Sequence, residues 1–140
     1  MGECNRTGFQ KPAFLDRDRL AQALGIQLVE IKEGYGKTAM TVTETHLNGL
    51  DHTQGGAVFT LADYAFAAAS NSWGIPAVGV SCTISYIKGS GLGDTLTAEC
   101  FVDHQGGRLG QYTTEIRNQH GELIAKVAAI SSRAPQKTAQ

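Results

Sequence analysis

Two short segments, one long apolar segment and four further short segments follow one another along the chain. Residues 26–33 and 38–44 flank Gly34-Tyr35-Gly36, and their alternation of apolar and polar side chains predicts a β-hairpin. Four later segments are rich in residues that favour strands and are separated by glycine-rich turns: 78–87, 95–104, 109–117 and 123–131. The pattern predicts an antiparallel sheet of five to six strands.

Residues 55–73 are rich in alanine, begin with two glycines and are followed by Gly74. A helix over this range would be apolar on nearly all sides, which predicts that it is buried. The segment is only marginally long enough to cross a bilayer, and it contains Asp63 among other polar residues. A central helix covered by the sheet explains it better, so we predict an α+β fold and no membrane association.

The 140 residues are the length of one domain. We expect a core over about 26–132, an N-terminal segment over 1–25 and a frayed tail over 133–140. Within the N-terminal segment a short amphipathic helix is predicted from Asp16 to Leu24, with Asp16 as its N-cap and Gly25 as its stop.

Charge and cysteine content narrow the class of protein further. Twelve Lys and Arg against thirteen Asp and Glu leave no basic excess for phosphates, so a nucleic-acid partner is not expected. The three cysteines are an odd number without metal-site spacing, so no metal site is expected, and the N-terminus has no apolar signal segment. These features favour the cytoplasm.

Asp63 is the only charged residue between Gly55 and Ile87. A carboxylate on a buried helix is costly unless it is paired, and positions 59, 60, 66 and 67 offer no Lys or Arg one turn away. Either Asp63 reaches a solvent-lined edge or a backbone donor, or it is a catalytic group with a shifted pKa. The helix start favours the second interpretation.

The predicted helix begins at Gln54-Gly55-Gly56, where backbone N–H groups of the first turn lack helical partners. Such donors, at the positive end of the helix dipole and without Cβ atoms in the way, suit an oxyanion. Gly55 and Asp63 are separated by about 12 Å along a helix that rises ~1.5 Å per residue. If both act on one carbonyl group, Asp63 of one chain must meet Gly55 of another.

These segments closely resemble hotdog-fold acyl-CoA thioesterases of the phenylacetate-degradation (PaaI-like) branch. The resemblance covers about residues 38–131 and lies mainly in four motifs: HLNG at 46–49, QGGAVFTLADYAFAAASNS at 54–72, SCTISYIK at 81–88 and GDTLTA at 93–98. It implies a sheet wrapped around a central helix, sheets paired side by side in a homodimer, and dimers associated into a homotetramer. The implied reaction is hydrolysis of a coenzyme A thioester with a small, often aromatic, acyl group.

The resemblance assigns roles to individual positions. Asp63 matches the carboxylate that acts as nucleophile or general base, Gly55 the amide that polarises the carbonyl, and Asn48 the residue that positions substrate or water. The family usually has His before the two glycines, where this chain has Gln54. A glutamine amide donates hydrogen bonds but does not titrate near neutral pH, so we expect Gln54 to orient the carbonyl. The alternative is that His52 transfers the proton.

Other residues are weaker candidates for substrate binding. Gly56 shares the helix start, and Ser81 follows the helix on a strand and is a candidate to hold a water. Lys88, His104 and Arg108 are candidates for the coenzyme A phosphates, although solvated turn residues are the commoner interpretation of each. No cofactor is expected, because coenzyme A is part of the substrate.

Two alternatives to a thioesterase stay open. A hotdog dehydratase or hydratase needs a catalytic histidine paired with the acid, and none lies near Asp63 in the sequence. A non-catalytic acyl-CoA-binding protein has no need of the carboxylate, so Asp63 favours catalysis.

Overall fold

One antiparallel sheet of six strands holds a single long helix on its inner face in the computed structural model, which describes residues 9–136. The strands are β1 (Gln27–Lys32), β2 (Tyr35–Thr41), β3 (Ala77–Tyr86), β4 (Thr95–Gln105), β5 (Leu109–Arg117) and β6 (Leu123–Arg133). The helices are α1 (Arg19–Ala23) and α2 (Gly55–Ser70), with 3₁₀ turns at Ala13–Arg17 and Glu44–His46. The α+β architecture and the central helix are those predicted from the sequence.

The strand order is β1-β2-β4-β5-β6-β3, and every neighbouring pair is antiparallel. The chain leaves the sheet after β2, forms α2, and returns as β3 at the opposite edge. As a result β1 and β3 are the edge strands, and most of β3 is exposed to solvent.

The core lies between α2 and the inner face of the sheet. Leu61, Ala62 and Ala65 of α2 are fully buried, and they pack with inner residues of β4 and β5 such as Leu96 and Ile116. The helix lies so close to β2 that a Cβ atom on Gly36 would overlap the Ala65 carbonyl oxygen. Small side chains therefore allow the sheet to curve tightly around α2.

The N-terminal segment differs from the single helix predicted over Asp16–Leu24. It divides into the 3₁₀ turn and α1, and the N-cap is Asp18, whose carboxylate accepts the Ala21 amide at 3.0 Å. Asp16 instead pairs with Lys11. Both aspartates suit a cap, and the short apolar pattern does not distinguish them. Gly25 does end the segment, with φ of 72°.

The ends of some elements also differ from those predicted, at the first hairpin and at the end of the long helix. Glu33 and Gly34 form the first hairpin turn, so Tyr35 and Gly36 already belong to β2. The long helix stops at Ser70 because the Asn71 side chain donates to the Ala67 carbonyl and binds Ala77.

The predicted tail begins later than residue 133. Strand β6 continues to Arg133, whose side chain donates to the Gly106 carbonyl, and the Gln136 amide donates to Gly107. The rest of the predicted tail, residues 137–140, lies outside the described residues. Within the part of the chain that the structure describes, no helix has the length and apolar character needed to cross a membrane.

Candidate active site

One stripe of α2 is left uncovered by the sheet. Ten of the sixteen helix residues are buried, and the other six follow helical spacing along one side: Gly55, Gly56, Phe59, Thr60, Asp63 and Ala67. The helix runs antiparallel to the edge strand β3, since Gly55 lies at Tyr86 and Phe66 lies at Gly79. The stripe and the edge strand thus form one continuous open side.

Asp63 lies at the centre of the stripe and is exposed in the single chain, at the kind of solvent-lined edge that the sequence left open as one alternative. No residue among 9–136 donates a hydrogen bond to it or forms an ion pair with it. Packing around the helix removes part of its hydration and raises its pKa, and the negative charge of Asp18 raises the pKa further. An unpaired carboxylate with a raised pKa is suited to accept a proton.

The start of α2 presents one free amide rather than two. The Gln54 side-chain oxygen caps the helix by accepting the Gly56 N–H at 2.6 Å, so the Gly56 amide is occupied. No acceptor within residues 9–136 takes the Gly55 N–H, which is open to a ligand. With its oxygen engaged, Gln54 keeps its Nε2 donors for a ligand.

Tyr86 is a site residue that the sequence did not identify. Its hydroxyl donates to the Gly55 carbonyl at 2.9 Å. A Cβ atom on Gly55 would lie 2.9 Å from the tyrosine oxygen, closer than carbon atoms of real side chains come. A side chain at position 55 would therefore displace the Tyr86 ring from the helix start.

The loop before α2 is organised by Asn48. Its side-chain oxygen accepts the amides of Leu50 and His52, and Asp51 between them has φ of 62°. A positive φ favours glycine, and aspartate is one of the few other residues that adopt it. The Asn48 oxygen therefore shapes the loop, and only its Nδ2 is left to contact substrate or water.

His52 lies in the same loop and is exposed. A Cβ atom on the neighbouring Gly89 would be 3.8 Å from its Nδ1, so the ring rests against the loop that follows β3. Hydrogen bonds between Thr53 and Ser90 tie these two loops together. The nearby His46 is buried, and its ring contacts the Thr43 amide and the Leu24 carbonyl, so it supports the fold.

Ser81 lies on β3, as the sequence predicts, but its side chain is turned away from α2. A bulge between Gly79 and Ser81 changes the alternation of β3, so that Ser81 pairs with Ile130 on the outer face. Cys82 takes the inner position, where the Asp63 charge and burial both raise the pKa of its thiol. The bulge is not visible in the sequence, so the face on which Ser81 lies could not be read from it.

Of the three candidate phosphate ligands, His104 is exposed on β4, while Lys88 and Arg108 lie at opposite ends of one chain. Lys88 lines a surface depression of about 310 Å³ together with Gly55 and Tyr86, and its ammonium contacts Glu122. Arg108 is exposed and precedes β5, at the level where β3 begins. Lys88 lies level with Ile124 and Arg108 level with Arg133 on β6. Since a strand rises about 3.3 Å per residue, roughly 30 Å separate the two levels. A single chain does not bring Lys88 and Arg108 together.

The comparisons with known proteins agree with this geometry. Residues 51–125 match the family model described as the thioesterase superfamily. The acyl-coenzyme A thioesterase PaaI of Escherichia coli (strain K12) is 44% identical over 121 residues, which cover 86% of each chain. The chain belongs to the thioesterase superfamily.

Solved structures of relatives share the fold of this superfamily member. The E. coli PaaI protein from the phenylacetic acid degradation operon matches with a TM-score of 0.85 and 42% identity, over 89% of this chain and 91% of that one. A hypothetical thioesterase protein of Streptococcus pneumoniae TIGR4, solved with coenzyme A, matches with a TM-score of 0.75 and 26% identity. That match covers 81% of this chain and 91% of the other.

The hotdog fold and the PaaI-like resemblance predicted for this thioesterase-superfamily chain are thereby confirmed. The roles given to Asp63, Gly55, Gln54 and Asn48 stay predictions. Among residues 9–136, no group of three or more His, Cys, Asp or Glu side chains is arranged to hold a metal ion.

Proposed function

We propose that the chain is a cytoplasmic acyl-CoA thioesterase that hydrolyses coenzyme A esters of small acyl groups, phenylacetyl-type groups included. The observation that carries the proposal is the pair of unsatisfied groups on the open side of α2. The Gly55 N–H has no acceptor and the Asp63 carboxylate has no donor within the described residues. An electrophile that needs both a hydrogen-bond donor and a base fits this pair.

In the proposed reaction the thioester oxygen accepts hydrogen bonds from the Gly55 N–H and the Gln54 Nε2. These donors, at the positive end of a sixteen-residue helix, stabilise the negative charge that develops on the oxygen. Asp63 either takes a proton from a water that attacks the carbonyl carbon, or attacks the carbon itself to form a mixed anhydride that a water molecule later hydrolyses, which releases the acid and restores the carboxylate. In either route the C–S bond breaks, and coenzyme A leaves as a thiolate that takes up a proton from solvent.

Two chains are required for this reaction, because one α2 holds Gly55 and Asp63 about 12 Å apart. We propose a homodimer in which β3 pairs with β3 of a second copy and the two uncovered stripes of α2 face each other. Exposed apolar residues on β3 support it, with Val78 66% and Val80 58% exposed. Residue 59 is midway between 55 and 63, so the two-fold axis passes close to Phe59. Association of dimers into tetramers follows the family resemblance.

The same two-fold relation accounts for the separated phosphate ligands. An antiparallel β3–β3 contact places the beginning of one β3 beside the end of the other. Arg108 of one copy then lies toward the Lys88 end of its partner, and both cations face one coenzyme A. Structures of the S. pneumoniae relative with coenzyme A are consistent with such a ligand.

A panel of acyl-CoA esters with a thiol-release readout tests the function. We expect turnover of small acyl groups by the natural chain and a fall of about 10²–10⁴-fold in Asp63→Asn, since a base or nucleophile is lost. Asp103→Asn, which removes an exposed carboxylate on β4 that binds only Thr113, is the matched control and should keep full activity. Saturable binding of the esters without hydrolysis would indicate a non-catalytic acyl-CoA-binding protein instead.

A further inference from the structure

Tyr86 reaches the helix start because of the bulge in β3. Before the bulge Gly79 faces α2, and regular alternation from there would point Tyr86 to the outer face. The bulge adds one residue and moves Cys82, Ile84 and Tyr86 to the inner face. The bulge thus delivers a tyrosine hydroxyl to the first peptide of α2.

Hydrogen bonds connect Tyr86 to Gln54 through one peptide group. The Tyr86 hydroxyl donates to the Gly55 carbonyl at 2.9 Å, and the N–H of the same peptide, on Gly56, donates to the Gln54 oxygen at 2.6 Å. Polarisation along such a chain strengthens each bond. The Gln54 oxygen is therefore held as the helix cap, and this contact also fixes the orientation of the Nε2 group on the same planar amide.

Packing adds to the hydrogen bonds. The Tyr86 side chain is 56% exposed, so it borders the open side while its ring stays against Gly55. Rotation of the Gly55 peptide, which glycine would otherwise allow, is opposed by the ring on one face and the hydroxyl at the carbonyl. The contact with Tyr86 thus immobilises Gly55, and the free N–H belongs to this same residue.

We propose that Tyr86 is a positioning residue of the thioester site, and that it acts on the carbonyl oxygen of the substrate through Gly55 and Gln54. The inference rests on the proposed function. Tyr86 aligns the Gly55 N–H and the Gln54 Nε2 as a pair of donors. The hydroxyl itself does not contact the reacting atoms, because its proton is donated to the Gly55 carbonyl. Gln54 is in this way equipped to orient the carbonyl without a titrating ring.

Tyr86→Phe removes the hydroxyl and keeps the ring. We expect kcat to fall about three- to tenfold with KM nearly unchanged, which corresponds to the loss of one neutral hydrogen bond in the transition state. Gln54→Ala should lower kcat as well, and the double variant should be no worse than the poorer single variant, because the two residues act through one peptide. Tyr112→Phe is the control: it removes a hydroxyl that donates to Gln105 at the other end of α2, and should not change kcat.

A second readout does not depend on turnover. In ¹⁵N-resolved NMR spectra, Tyr86→Phe should move the Gly56 amide and the Gln54 side-chain amide, and speed exchange of the Gly56 proton, while Tyr112→Phe leaves them in place. Unchanged kcat in Tyr86→Phe, additive losses in the double variant, or unmoved amide signals would each overturn the inference. If the natural chain hydrolyses no ester while the amide signals move as expected, the proposed function fails and the Tyr86–Gln54 coupling stands.

Discussion

Asp63 is a carboxylate with no hydrogen-bond or ion-pair partner among residues 9–136, on a helix whose other sides are buried. Its raised pKa has two causes, burial first and the Asp18 charge second. Both act against the ionised form, so the base is more strongly basic than an ordinary aspartate. The position of Asp18, at the N-cap of α1, links the N-terminal segment to the chemistry of the stripe.

Asp18→Asn should shift the acid limb of the pH–rate profile to lower pH. Asp63 must be ionised to act, so activity falls as the pH drops through its raised pKa, and removing the Asp18 charge lowers that pKa. Asparagine also caps helices well, so α1 should be retained. The measurement is kcat/KM against pH for the natural chain and the variant, with Asp16→Asn, which loses only an exposed contact to Lys11, as the control. An acid limb that stays in place or moves to higher pH contradicts this account.

The two proposed roles, in which Gln54 orients the carbonyl or His52 transfers the proton, lead to opposite expectations for variants. If Gln54 orients the carbonyl, Gln54→Ala lowers kcat or raises KM, adds no new pKa to the rate profile, and has a larger effect than His52→Ala. Steady-state kinetics of the two variants across pH distinguishes the roles. Abolished activity in His52→Ala with little change in Gln54→Ala would show that the motif is misaligned.

The chemistry of the site was easier to predict than the directions of its side chains. Asp63 and Gly55 were identified because a charge in an apolar helix and glycines at a helix start are visible as residue types. The outward direction of Ser81 and the inward direction of Tyr86 were not predictable for one shared reason, the bulge between Gly79 and Ser81. A single inserted residue reverses every later side chain of a strand, and composition does not reveal it.

At the scale of elements, the loop before α2 depends on one residue in the left-handed region. Asp51 has φ of 62°, and the loop around it is closed by hydrogen bonds to the Asn48 side chain. Aspartate tolerates this conformation better than most residues, and alanine does not.

Asp51→Gly should therefore be more stable than Asp51→Ala by about 1 kcal/mol, because a Cβ atom in the left-handed region costs ~1–2 kcal/mol and glycine gives part of this back as chain entropy. Urea unfolding followed by circular dichroism measures the difference. Equal stability of the two variants would mean that the loop changes its backbone conformation on substitution.

The strands and the long helix were predictable as elements, and their ends were less so. The predicted segment 109–117 coincides with β5, since glycine-rich turns bound it on both sides. The end of α2 was placed too late, because the Asn71 side chain, a polar residue within the apolar run, closes the helix by bonds that sequence patterns do not show. For a similar reason, the N-cap of α1 was predicted at Asp16 and lies at Asp18.

At the scale of the whole molecule, the side of the single chain that carries the candidate catalytic groups is left uncovered. The stripe of α2 and most of β3 are open, and the two groups proposed to act on one carbonyl lie about 12 Å apart on one rigid helix. Lys88 and Arg108 are separated even further along the sheet. A second copy related by a two-fold axis would cover the open side, bring Gly55 of one chain to Asp63 of the other, and bring Lys88 toward the partner's Arg108. We therefore expect that the chain is active only as a dimer.

Complementation between two inactive subunits tests this central claim most directly. Asp63→Asn lacks the base, and Gly55→Val places a side chain against Tyr86 and blocks the amide. Each variant is first shown to be folded and inactive on its own, and the two are then refolded together. Random pairing gives half heterodimers with one intact site each, so about a quarter of the natural activity should return. Verified heterodimers without any recovered thioester hydrolysis would show that the site lies within one chain.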